Sequence, residues 1–364
     1  LRRQRQMCIR DRVAVLVMLV RVLGGLRRAP GRVAGWRGAR RQRAGELALQ
    51  RGLVAVAAGD GSGARAAAVK ARAALGDTGF VQWLNAEAAR LSGQDEQARL
   101  AYEKLTRSAE MKFLGHQGLL RDSLKSGRIE EAARQAQEAE EAYPGGAWTR
   151  EQRLALAVRE RNYAGALRLT QTPQARAALA VATSEQAQTP KLALEFAKQA
   201  VKADPASPVA LARLAVCLRA LGKERAARKT LQKGWQAAPH RLLAAAWLSP
   251  EATPLARAQE AAQLASFYPG HMESELLLGE TALAAKLTGE AKRHAEAALK
   301  AGNEDGRAAA ILAALENRPA PPVRPAWRCT SCQTQSESWY CACPSCGQIG
   351  SFVDNASGKA VIKL

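Results

Sequence analysis

"ALARLAVCLRALGKERAARKTLQKGWQAAP", Ala210–Pro239, decides the fold of this chain. Two segments rich in alanine and leucine are separated by Gly222, and the second stops at Pro239. Alanine and leucine have high helix propensity, so each segment reads as a helix. The glycine permits a tight turn between them, and the proline cannot continue the second helix. Ala215 and Ala227 are small enough to let the two helices approach closely, beside the large apolar Leu231. Pro205 stands 34 residues before Pro239, with Ala193, Ala197 and Ala200 on the small positions of the preceding unit.

Working outward, the same spacing recurs. Leu119, Leu120, Gly127, Ala132 and Pro144 outline one unit. Gln82–Leu105, with Gly93, Ala98 and Tyr102, and Glu275–Ala298, with Gly279, outline weaker ones. This 34-residue pattern resembles the tetratricopeptide repeat, with Leu214 and Ala215 on its Leu-Gly pair. No unit can bury its apolar face alone, so stability has to come from stacked neighbours. The reading is an all-α tetratricopeptide-like helical repeat solenoid over 45–316, with about six to eight helix pairs. Its aromatic consensus positions mostly hold smaller residues, in keeping with an aromatic content of only 5%.

Such an array presents a groove suited to a protein segment, and a protein partner is expected there. Trp83, Trp148, Trp235 and Trp247 are candidate groove anchors, although at helical spacing a core role is the commoner one. His116, His240, His271 and His294 lack ligand spacing and are expected as helix caps or surface residues. Cys217 reads as a small buried hydrophobe. Gly59, Gly61 and Ala64 formally match a dinucleotide-binding G-x-G-x-x-A. The flanking segments are helical, however, so these glycines are expected at a helix–helix turn. No catalytic constellation is found, and an adaptor is expected in place of an enzyme.

The formal net charge is +21, and residues 1–51 hold fourteen arginines against Asp11 and Glu46. The excess flanks the apolar run Val13–Leu23, which points to a membrane surface more than to a nucleic-acid partner, and no nucleic acid is expected. Residues 1–11, containing "QRQMCIRD", look like a translated sequencing adapter and are set aside as an artefact. Residues 12–26 read as the remnant of a truncated transmembrane helix, since an eleven-residue run broken by Arg21 cannot span a bilayer. Residues 27–44 follow as a basic juxtamembrane segment, with Arg27, Arg28, Arg32, Arg37, Arg40, Arg41 and Arg43 at the membrane surface. That polarity predicts that the rest of the chain faces the cytoplasm.

After Glu316 the composition changes. Residues 317–326 form a proline-rich linker, 327–353 a four-cysteine metal-binding domain, and 354–364 a tail. Five of the seven cysteines fall in "CTSCQTQSESWYCACPSCG", Cys329–Gly347. Cys329-x-x-Cys332 and Cys343-x-x-Cys346 form two knuckles ten residues apart, the pattern of a zinc-ribbon or rubredoxin-like site. Cys341 is surplus, and is a possible substitute ligand. Gly347 suits the left-handed turn after the second knuckle, whereas Gln333 stands where glycine is usual after the first. The intervening residues are expected to form a short hairpin whose Trp339 and Tyr340, with Trp327, cover the metal. Zinc is preferred over iron, and a closed four-thiolate site implies a structural metal.

Membrane remnant, arginine run, repeats and knuckles together resemble the alphaproteobacterial HemY family. "RRQRAGELALQRGLVAVAAGD" and "PAWRCTSC" carry the resemblance most specifically. It implies two N-terminal transmembrane helices, one of them and half the other missing here, a location at the bacterial inner membrane with repeats and metal domain facing the cytoplasm, and an association with haem biosynthesis. Whether haem or porphyrin binds is left open by it. The LapB family, a regulator of lipopolysaccharide assembly, is similar in layout and is the alternative. A zinc-ribbon nucleic-acid-binding protein is the third reading.

Overall fold

The computed structural model describes residues 2–355, so the expected tail lies outside the described residues from 356 onward. The helices begin with α1 Arg2–Ala57, α2 Gly61–Leu75, α3 Gly79–Leu91, α4 Asp95–Leu105, α5 Lys112–Lys125 and α6 Ile129–Ala142. They continue with α7 Ala147–Arg159, α8 Tyr163–Leu169, α9 Pro173–Gln186, α10 Pro190–Ala203, α11 Pro208–Ala220 and α12 Glu224–Ala237. The last are α13 Arg241–Trp247, α14 Pro254–Ala265, α15 Met272–Ala284, α16 Thr288–Lys300 and α17 Arg307–Leu315. The chain divides into two compact units, 1–152 and 153–364.

In the first unit, α1 runs unbroken through the positions expected as artefact, membrane remnant and basic segment. Among the described residues no helix is long and apolar enough to cross a membrane. The apolar run is too short, and arginines interrupt and flank it. The side chains of Arg27, Arg28 and Arg32 lie outside the described residues. Arg37, Arg40, Arg41 and Arg43 are exposed, and Arg41 donates hydrogen bonds to the Ala73 carbonyl on α2. Gly59 takes φ +74 at the α1–α2 turn, and Asp60 caps α2 by accepting from the Gly63 N–H at 2.9 Å. The dinucleotide look-alike is therefore a helix–helix turn.

Gly93 and Gly127 both take φ +70 at their turns, the left-handed conformation that a residue without Cβ adopts readily. Ala86, Ala89 and Ala98 pack with Tyr102 and Leu105 in this unit's core, and Tyr102 donates to the buried Glu87 at 2.8 Å. Trp83 and Trp148 are half-buried.

In the second unit α9/α10, α11/α12 and α15/α16 are full-length pairs, while α8 and α13 are cut to seven residues. Gly222 again takes φ +70, and Pro205 and Pro239 follow the ends of α10 and α12. Thr189, Ser207 and Thr253 cap helices that open on proline, whose missing N–H is harmless in the first turn. Trp235 and Trp247 are core residues, packed with Ala215, Ala227, Leu231 and the buried Cys217. Their alanine neighbours make room for them, which is why neither reaches a groove.

Candidate metal centre

The cysteine region is a small three-stranded antiparallel sheet of order β2-β1-β3: β1 Trp327–Cys329, β2 Gln335–Ser336 and β3 Phe352–Asp354. β1 and β2 enclose the first knuckle, and β1 also pairs with β3, placing Cys329 opposite Phe352. The second knuckle is closed by the pairing of Ala342 with Ile349. Both knuckles repeat one hydrogen-bond frame. The Gln333 N–H donates to the Cys329 carbonyl at 3.0 Å, and the Gly347 N–H to the Cys343 carbonyl at 2.8 Å. In return the Cys329 and Cys343 N–H groups donate to Thr334 and Gln348 carbonyls, each at 2.9 Å. The left-handed turn after each pair falls on Gln333 at φ +63 and Gly347 at φ +73.

This frame brings Cys329, Cys332, Cys343 and Cys346 together, with all four sulfurs within 4.8 Å of one another. Cys329 Sγ is 3.7 Å from Cys346 Sγ, and Cys332 Sγ is 3.6 Å from Cys343 Sγ. A tetrahedron with metal–sulfur bonds of about 2.3 Å puts its sulfurs about 3.8 Å apart, so the donor set fits a thiolate-bound ion. All four thiols are free, at spacings far beyond the roughly 2.05 Å of a disulfide. Four protein sulfurs leave a tetrahedral ion no position for a substrate, so the arrangement suits holding the fold together.

Cys329 and Cys343 are buried, Cys332 and Cys346 exposed. Burial opposes ionisation of Cys329. Hydrogen bonds from the Ser351 hydroxyl and the Cys332 and Ser331 N–H groups outweigh it and bring the thiol down to about 6. The Ser351 hydroxyl stands 3.2 Å from Cys329 Sγ, and the Thr334 hydroxyl 3.1 Å from Cys332 Sγ. The Thr334 hydroxyl and N–H hold the Cys332 thiol below its ordinary value. Neither hydroxyl was legible as part of the site: Ser351 lies beyond the last cysteine, and Thr334, though two residues after Cys332, is one of several hydroxyl residues between the knuckles.

Cys341 is not among the four. It is turned into the helical body against Ala178 and Ala182 of α9, and burial pushes its thiol up. The aromatic residues also depart from expectation. Trp339 and Tyr340 lie after β2, outside the hairpin. Trp339 wedges against Val181 and Val209, and Trp327 packs 5.5 Å from the His240 ring at the start of α13. Helical surface beside the knuckles offers more apolar area than the ion does, so these rings dock the sheet onto the repeats. Tyr340 stays largely exposed, 5.9 Å from Phe352.

Two further docking features carry no sequence signal. Gly350, at φ +64, sits so close to α9 that a Cβ would come within 2.8 Å of the Gln174 carbonyl oxygen. His240 accepts the Leu242 N–H on Nδ1 at 3.0 Å and puts Nε2 3.1 Å from Asp354 of β3. His271 caps α15 in the same way, while His116 lies 2.8 Å from Gln135 and His294 lies 2.6 Å from Glu275.

Fold and site together define a tetratricopeptide-repeat protein carrying a small four-thiol knuckle, and residues 185–247 match a tetratricopeptide repeat family. Residues 12–93 match the family described as HemY protein N-terminus, so the chain is similar to HemY there and to tetratricopeptide-repeat proteins further on. The probable magnetosome protein Mms48 of Magnetospirillum gryphiswaldense is 30% identical over 199 residues, 45% of this chain and 44% of that protein. The chain thus spans less than half the length of this curated relative. Among solved structures, Pseudomonas aeruginosa pilF is 15% identical, with 70% of this chain and 90% of that one covered, at a TM-score of 0.30. A tetratricopeptide repeat protein from Parabacteroides merdae is 12% identical, covering 76% of this chain and 100% of that one, at 0.29.

Proposed function

We propose that this protein is a membrane-associated scaffold without catalytic activity, whose repeats hold a protein partner and whose knuckle is fastened by one structural metal ion. The observation that carries it is the docking of the four-thiol knuckle on repeat helices through Trp327, Trp339 and Phe352. Cys329, Cys332, Cys343 and Cys346 are the proposed ligands and zinc the proposed ion, which would tie β1 to the second knuckle. When bound, such an ion supplies no reaction chemistry and contributes folding free energy.

The match of residues 12–93 to a HemY N-terminus supports an inner-membrane location, with the arginines at 27–43 against the cytoplasmic surface. Full-length protein fractionating with membranes supports this, and its full recovery in the soluble fraction sinks it. The link to haem biosynthesis rests on the same match. Unchanged porphyrin intermediates after deletion of the gene would remove it, leaving a regulator of lipopolysaccharide assembly as the alternative. The scaffold reading is tested by affinity capture from solubilised membranes. A partner retained by the intact chain and by no unrelated repeat protein supports it; identical captures by both contradict it.

A further inference from the structure

Between the knuckle and the repeats lies a cavity of about 390 Å³. The residues lining it include Trp327, Trp339 and Phe352, the acids Asp204 and Asp354, and His240. It opens along the first half of α9 and the starts of α11 and α13, which pack beside one another. The chain carries 54 lysines and arginines against 33 acids, yet among the described residues no lysine or arginine lines this cavity.

Aromatic faces present negative charge to a cation, and carboxylates nearby add to the attraction in a partly desolvated site. An anion is disfavoured there. The starts of α11 and α13 are already capped by Ser207 and His240, so neither offers free donors to an anion. A wholly apolar ligand would desolvate Asp204 and offer it no charged partner in return. His240 adds a second requirement. Its Nδ1 accepts the Leu242 N–H, so its proton sits on Nε2. That N–H is buried and makes no hydrogen bond, although Asp354 is 3.1 Å away. A backbone carbonyl entering the cavity is an acceptor of the right kind.

We propose that this cavity is a socket for a lysine or arginine side chain, presented by an extended segment of a partner protein. The assignment deepens the scaffold reading by naming the chemistry of the partner, and rests on that reading. Arg241, 4.0 Å from Asp354, steadies that carboxylate from outside the cavity, and Asp204 supplies the second negative charge.

The test uses the full chain labelled with 5-fluorotryptophan. Trp327→Phe and Trp339→Phe variants assign the two relevant fluorine resonances. The chain is titrated with blocked Ala-Lys-Ala, with the same tripeptide carrying norleucine in place of lysine, and with butylammonium, each to about 50 mM, a range that reveals weak millimolar binding. The lysine tripeptide should shift both resonances and bind more tightly than butylammonium, while the norleucine tripeptide leaves them in place. Asp204→Asn, which keeps the acceptor for the Ala206 N–H, should weaken the lysine tripeptide about five-fold or more. Equal binding by norleucine, equal binding by butylammonium, undiminished binding by Asp204→Asn, or no shift at all would each overturn the proposal. None of these results touches the capture of a partner by the intact chain, so the two readings fail separately.

Discussion

The two knuckles share a backbone and differ in the residue asked to bend it. Gly347 takes its φ of +73 with open space around the missing Cβ. Gln333 takes φ +63 with a full side chain, tied down by Arg328 at 2.7 Å and by the Thr330 carbonyl at 3.2 Å. A left-handed residue with a Cβ is disfavoured by about 1–2 kcal/mol, so the first knuckle stores strain that the second does not. The difference teaches that the four-sulfur geometry dictates the turn, and the residue type only tunes its stability. The repeats say the same at larger scale. Gly93, Gly127 and Gly222 bend their turns at φ +70, while Arg161 and Lys286 do so at +57 and +61.

The largest effect that would break the equivalence of the knuckles is loss of a ligand. Cys343→Ser should abolish stoichiometric metal in the purified chain, whereas Cys341→Ser should leave it unchanged. Elemental analysis checks both, and retention of metal by Cys343→Ser would show that Cys341 replaces it. Next in size is Gly350→Ala, which combines a left-handed φ with a clash against the Gln174 carbonyl. It should weaken docking on α9 by about 2–3 kcal/mol, read as faster hydrogen exchange in β1 and β3 with the metal still bound.

Smaller still, Gly347→Ala should weaken metal affinity about five-fold, near 1 kcal/mol, because nothing but backbone strain opposes the new methyl group. Gln333→Gly should act in the opposite direction by about 0.5 kcal/mol, strain relief being partly offset by glycine's greater chain entropy. Competition with a chelator compares the pair. Changes of the same sign in both variants would refute the shared-turn account.

Much of this was legible beforehand, for a physical reason. Turn glycines, helix-ending prolines and the C-x-x-C spacing are local constraints, and a local constraint leaves a mark on the residue that meets it. Gly93, Gly127 and Gly222 stand at the turns where their spacing put them, and four of the five clustered cysteines converge. What stayed hidden depends on packing between distant segments. The Ser351 hydroxyl reaches the Cys329 sulfur from 22 residues away through the sheet pairing, and Gly350 is a glycine because α9 passes over it. Trp327 and Trp339 could be read as large apolar residues near the thiols. Only the positions of Val181, Val209 and His240 show that they face the repeats. Arg161 and Lys286 were illegible as turns because neither residue type marks a left-handed position as glycine does.

The central claim is that four thiolates from two equivalent turns hold one ion that fastens the knuckle to the repeats. X-ray absorption at the zinc edge of the full-length, zinc-loaded chain tests it most directly. The account predicts one zinc per chain with four sulfurs at about 2.3 Å and no nitrogen or oxygen in the shell. A shell with fewer than four sulfurs, or a chain that takes up no zinc, would contradict it.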